Sequence, residues 1–196
     1  MATPADRVGA DTTQDRPLRA DARRNRAHIL DVARDAFAGE GLSVPVQEIA
    51  RRAGVGTGTV SRHFPTKEAL FVAVLSDRFT RHVQRAHALA DTAEPGEAFL
   101  SYFAFLVQEA ALDRGLADAM RGAGFDFASI TADPARDVPG ALRELLLRAQ
   151  KSGGVRADID MADVSAMLIG CLSRAADDAG RRRVVEVVLA GLRAAG

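Results

Sequence analysis

Cysteine is almost absent from this chain, whose 196 residues hold a single one, Cys171. One thiol cannot close an internal disulfide and has no companion with which to hold a metal cluster. Long apolar runs are missing as well: no stretch approaches the roughly 20 residues of a membrane span. The polar opening MATPADRVGADTTQDRP lacks the apolar segment of a secretory signal. These absences point to a cytoplasmic protein with no membrane partner. Catalytic signatures are lacking too, with no G-x-S-x-G, no Walker loop and no dinucleotide fingerprint. The glycine-rich Gly54–Gly58 has no strand before it, and Ser61 and His63, two apart on a helix, do not face each other. His28, His82 and His87 are scattered, without acidic or cysteine companions at ligand spacing. No enzyme, cofactor or metal site is therefore expected.

Neither sign of charge is in excess, with 26 basic and 26 acidic residues, and neutrality taken alone argues against nucleic acid. The distribution argues otherwise. Between Arg19 and Lys67, nine basic residues (Arg19, Arg23, Arg24, Arg26, Arg34, Arg51, Arg52, Arg62 and Lys67) stand against five acidic ones. A grip on DNA depends on the local field at the phosphates and not on the total. Charge alone leaves a DNA-binding face and a merely solvated, arginine-rich surface equally open.

What the sequence has in quantity is helical periodicity, in a chain that is 47% hydrophobic and 27% charged. Residues 1–18 lack any period and read as a disordered arm, in which Arg16 and Arg19 precede the first helix as in arms that enter a minor groove. From Asp21 apolar residues recur at helical steps, and about nine helices are expected, with no convincing strand. Ile29 or Leu30, Ala33 and Phe37 mark the first, and Val46–Ala53 and Val60–Phe64 the second and third. Thr66 is positioned to cap a long fourth helix over about 67–90. A fifth, over about 97–113, has almost no polar face. Short, seventh, eighth and ninth helices follow at Leu116–Met120, at about 140–151, from Asp160 and after Gly180. The expected organisation is the arm (1–18), a helix-turn-helix head (19–66) and a helical ligand-binding and dimerisation body (67–196).

The stretch VQEIARRAGVGTGTVSRHF, Val46 to Phe64, places two short helices around a three-residue turn, the helix-turn-helix layout. Ala50 is small where the helices cross, Gly54 takes the turn, and Val55 and Val60 bury against Ile49. Thr57, Gly58, Thr59, Ser61 and His63 are left at the start of the third helix, the part of a recognition helix that enters the major groove. Their small hydroxyls suit base edges and phosphates, and a threonine methyl suits thymine. An ordinary helical hairpin with a glycine turn has the same pattern, and His63 also suits packing beside Phe64.

From Arg23 to Leu75, RRNRAHILDVARDAFAGEG…VQEIARRAGVGTGTVSRHFPTKEALFVAVL resembles the N-terminal domain of the TetR family, with HFPTKEALF its most specific part. Leu142–Val164 is similar to effector domains of many actinobacterial members. The resemblance implies a DNA-binding regulator with an effector cavity in its body. It adds Gln47 as a DNA-facing residue and Lys67 as a phosphate contact at the head of a helix. The family usually has tyrosine where this chain has Ser61, which is too short to repeat that contact.

The candidate effector site lies between the fourth and eighth helices, lined by Phe79, Phe103, Leu106, Met120, Phe125, Phe127 and Met167. Tyr102, Gln108 or His82 would orient a mostly apolar ligand. The same aromatics also suit plain core. Cys171, on an apolar stripe, reads as a small core residue. Val164, Leu168, Leu172 and Ala175 form one stripe and Val184, Val188 and Leu192 another, a candidate four-helix homodimer interface. The expected function is a repressor released from a palindromic operator by a small effector. A ligand-independent or activating regulator and a helical interaction module without DNA function stay open.

Overall fold

A computed structural model describes residues 15–112, 132–173 and 178–194. Among these the chain forms eight α-helices: α1 (Asp15–Glu40), α2 (Val46–Arg52), α3 (Thr57–His63), α4 (Lys67–Thr92), α5 (Pro95–Leu112), α6 (Val138–Lys151), α7 (Met161–Ser173) and α8 (Asp178–Leu192). The all-α expectation holds, and among the described residues extended pairing is confined to an isolated bridge between Val155 and Arg193. The short helix expected at Leu116–Met120 lies outside the described residues. Two boundaries move. α1 begins at Asp15, so Arg16 and Arg19 sit on helical backbone where an irregular arm was expected, and α8 begins at Asp178, before Gly180.

Two separate apolar cores form. The first gathers Ile29, Ala33 and Phe37 of α1, Ile49 and Ala50 of α2 and Val60 of α3 around Leu70, Phe71, Val74 and Leu75 of α4. Phe37 meets Phe71 edge-on, centroids 5.4 Å apart, a geometry worth about 0.5–1.5 kcal/mol beyond burial. The second core joins Val83 and Ala86 of α4 to Phe99, Tyr102 and Phe103 of α5, Leu142, Leu145 and Leu146 of α6, Val164 and Cys171 of α7 and Leu192 of α8. α4 thus supplies buried residues to both, and its first turn is capped by the Thr66 hydroxyl, which accepts from the Ala69 amide at 3.1 Å.

Local chemistry explains where the helices stop. α2 ends in a Schellman motif: the Val55 amide donates to the Ala50 carbonyl at 3.0 Å and the Gly54 amide to Arg51 at 3.2 Å. Gly54 has φ +64°, and a methyl group added to it would meet nothing within 4 Å. Its glycine is therefore needed for conformation alone. α6 closes the same way, through Gly154 to Ala149 and Gly153 to Gln150. Beyond that cap the backbone of Gly154 lies against the start of α5. A Cβ on Gly96 would stand 2.9 Å from the Gly154 Cα, and one on Gly154 would stand 2.7 Å from the Gly96 Cα.

These glycines separate two kinds of strain. Gly54→Ala should lower unfolding stability by about 1 kcal/mol, and Gly54→Asn by less, because only the left-handed backbone opposes a side chain. Gly96→Ala forces backbone apart and should cost about 1–3 kcal/mol. Urea unfolding of the three variants checks the ranking; a Gly54→Ala cost equal to that of Gly96→Ala would contradict it.

Candidate nucleic-acid interface and ligand-binding body

Because Val60 is fully buried against the head core, the opposite side of α3 must face outward. Thr57, Gly58, Ser61 and Arg62 are exposed there, and Gln47 is exposed on the first turn of α2. Thr59 and His63 lie on the flank, half-buried, and Lys67 is half-buried at the first position of α4. The His63 ring sits 6.1 Å from that of Phe64, so it packs locally while keeping part of its surface open. Of the sequence-derived set, Gln47, Thr57, Gly58 and Ser61 come together as one accessible strip with the two flanking residues beside it. Arg62 was missed as a surface residue of the strip and entered the reading only as a charge. Its position three and four residues from Thr59 and Gly58, and two from the buried Val60, was the signal that places it outward.

The basic residues of the head divide by their partners. Arg51 and Arg52 both donate to Glu48, at 2.8 and 2.7 Å, and Arg52 also pairs with Glu40. Arg24 pairs with Asp21, and Arg34 with Asp31 at 3.0 Å. The field they offer to an anion is therefore smaller than their number suggests. The Arg26 guanidinium lies over the Phe64 ring, 5.2 Å from its centroid, worth about 0.5–1 kcal/mol at an exposed site. It ties the first half of α1 to the end of α3.

In the body, the candidate effector residues separate. Phe103 is fully buried, and Leu106 and Met167 pack half-buried against the second core. Phe79 does not join them: it packs against the head core, because it follows Leu75 by one helical turn on the same stripe of α4. Met120, Phe125 and Phe127 lie outside the described residues. Tyr102 is fully buried, and its hydroxyl has no hydrogen-bond partner. Burial pushes that phenol well above its usual pKa, so it stays a donor at every physiological pH. His82 is buried beside the cations Arg78 and Arg81; burial first, and Arg78 next, lower its pKa below the usual histidine value. Gln108 is exposed.

The dimer stripes shift in phase. Val164 and Leu192 are buried inside the subunit, and Leu168, Leu172, Val184 and Val188 pack half-buried against its core. The apolar residues facing out from the last two helices are Ile169, 69% exposed, and Val187, 72% exposed. Around them Gly170 and Gly191 have nothing within 4 Å of an added Cβ. Arg181, buried at the start of α8, pairs with Asp178, which answers the cost of a cation at a helix N-terminus.

A helix-turn-helix head joined through one long helix to an all-helical body defines a DNA-binding regulator of the bacterial type. Residues 29–74 match the family described as bacterial regulatory proteins, tetR family. Residues 94–194 match the domain described as transcriptional regulator SbtR-like, C-terminal domain. The crystal structure of a TetR regulatory protein from Mycobacterium vanbaalenii is 50% identical, with TM-score 0.75, over 90% of this chain and 99% of that one. A TetR regulator from Streptomyces coelicolor is 33% identical, with TM-score 0.73, over 87% of this chain and 99% of that one. An HTH-type transcriptional regulator of Staphylococcus aureus strain USA300 is 35% identical over 72 residues. That match spans 35% of this chain and only 39% of the curated relative's length. The chain belongs to the TetR family of transcriptional regulators.

The Glu48 cluster carries a pH signature. Hydrogen bonds from Arg51 and then Arg52 hold the Glu48 carboxyl at about 2, against an ordinary value of 4.5. A depressed acid stabilises the fold above its unfolded value and loses that contribution as pH falls through the folded one. The melting-temperature gap between the wild type and Glu48→Gln should therefore be full at pH 6 and close between about pH 4.5 and 2. Thermal melts over that range check it, and a gap independent of pH would exclude the ion cluster as its source.

Proposed function

We propose that this protein is a repressor that binds a palindromic operator as a homodimer and leaves it when a small, mostly apolar effector enters the body. The observation that carries the DNA-binding reading is the outward strip of α3, where Thr57, Gly58, Ser61 and Arg62 are exposed opposite a buried Val60. Hydroxyls and an arginine on a rigid helix suit base edges in the major groove. Gln47, Thr59, His63 and Lys67 flank the strip, with Lys67 and the head of α4 placed for a phosphate. In the described residues no helix is long and apolar enough to cross a membrane, and a cytoplasmic repressor without a catalytic role fits the family.

The effector reading rests on Tyr102. A buried hydroxyl without a partner costs about 1–3 kcal/mol, and a ligand carrying a carbonyl or ether oxygen would recover that loss on binding. Phe103, Leu106 and Met167 supply the apolar surroundings on α5 and α7. Effector binding can alter operator affinity only through a differential affinity for two arrangements of head and body. The homodimer reading rests on Ile169 and Val187, which face outward on neighbouring helices flanked by small residues.

Thr57→Glu and Arg62→Glu should each weaken operator binding by about 100-fold, since a carboxylate replaces a contact with repulsion. Both positions are exposed, so melting temperature should hold. Ile169→Glu or Val187→Glu should give folded monomers in sedimentation, whereas Leu192→Glu should unfold the body. Tyr102→Phe should keep or raise stability, because it removes the orphaned hydroxyl, and should desensitise induction. Operator binding undiminished in Thr57→Glu and Arg62→Glu, or a wild-type monomer at micromolar concentration, would overturn the reading.

A further inference from the structure

We propose that the cleft where α1, α4 and α5 meet is a second ligand site, shaped for a small carboxylate with an apolar body. The cleft has a volume of about 420 Å³, within the range of small-molecule sites. Arg34 enters it from α1, and Arg78, Arg81 and Arg85 from successive turns of α4. Phe105 and Glu109 of α5 form the opposite wall, with His82 between them and the arginines. None of the effector candidates of the body lines it.

The charge of this cleft is unbalanced on its inner side. Arg78, Arg81 and Arg85 recur at steps of three and four on one helix face, where like charges destabilise each other. Asp31, Asp35 and Asp77 engage Arg34 and Arg81: Arg34 meets Asp31 at 3.0 Å and Asp35 at 3.4 Å, and Arg81 meets Asp31 at 3.3 Å and also Asp77. Those acids stand outside the set that lines the cleft, among which Glu109 is the one carboxylate. Glu109 is 4.0 Å from the Arg78 guanidinium and 3.5 Å from His82 Nε2, too far for a strong bond to either. Among the described residues, no acid lies within ion-pair distance of Arg85. His82 adds no cation at neutral pH, since burial and Arg78 lower its pKa.

The surroundings select the anion. A guanidinium fork matches the two oxygens of a carboxylate. Beside the arginines stands Phe105, edge-on to His82 at 5.1 Å and stacked on Tyr102 at 5.9 Å. An aryl or short acyl group would lie on that ring while its carboxylate met Arg78 and Arg85. The place gives such a ligand leverage. Arg34 belongs to the helix that carries the head core, and Phe105 packs on the body core. A bound acid would bridge the two across the polar stretch of α4, shifting operator affinity.

Calorimetry with sodium benzoate and sodium hexanoate tests the site without DNA, so its outcome is independent of the operator reading. Benzoate should bind the wild type and bind Arg85→Glu at least about tenfold more weakly, the loss of one charge-assisted bond. Arg85 is exposed, and an unchanged melting temperature for the variant confirms that it folds. Neutral benzamide, and inorganic phosphate without an apolar body, should each bind at least about tenfold more weakly than benzoate. Equal affinity for benzamide would overturn anion recognition, and equal affinity for phosphate would overturn the role of Phe105. No binding of either carboxylate, or equal binding to Arg85→Glu, would overturn the site. Saturating benzoate should also shift the operator affinity of the wild type but not of Arg85→Glu; binding with no such shift would overturn the coupling.

Discussion

A single helix packed into two cores constrains the rest of this molecule. α4 runs for 26 residues, roughly 39 Å at 1.5 Å per residue. Its first turns are buried with the head, through Leu70, Phe71, Val74 and Leu75, and its middle with the body, through Val83 and Ala86. Neither core can move without moving that rod or bending it. Between the two buried stretches the helix carries Ser76, Asp77, Arg78, Thr80 and Arg81, held by ion pairs and hydrogen bonds in place of close packing. Packed cores resist deformation, whereas exposed ion pairs contribute little and exchange partners readily. The polar stretch is thus the softer part of the link between head and body.

The head is a small device for holding α3 still. Val60, Ile49 and Phe37 are fully buried, the Schellman cap fixes the angle between α2 and α3, and Arg26 clamps Phe64 from outside. What this rigidity leaves outward is short and polar. Much of the arginine that surrounds it is already paired, with Glu48 serving both Arg51 and Arg52. The basic count of this segment therefore overstates its free charge, and the exposed Arg62 matters more than its rank in a list of cations.

In the body the division between inside and outside is decided by phase. α7 and α8 are apolar on more than one side, and a stripe read from spacing fits either face. The monomer takes Val164, Cys171 and Leu192 for itself and leaves Ile169 and Val187 to solvent. Tyr102 is the opposite kind of exception, a polar atom kept inside without a partner. Native interiors rarely tolerate such a defect, and it singles out α5 as more than a packing element.

The sequence alone determined the helical class, the helix-turn-helix and most helix limits, because those follow from local chemistry. Periodicity sets the helices, Thr66 and Gly54 set two of their ends, and the burial of Ile49 and Val60 was legible from spacing within one short motif. What spacing could not resolve was which of two apolar faces meets which neighbour. Phe79 reads as a lining residue of the body and packs with the head. Leu168 and Val188 read as an interface and cover their own core. The pairing of Arg52 with Glu40, twelve residues away, and the cleft that joins Arg34 to Arg85 and Phe105, needed the folded chain. Local periodicity assigns a residue to a face, but only the packing of distant segments decides whether that face is core, cleft or surface.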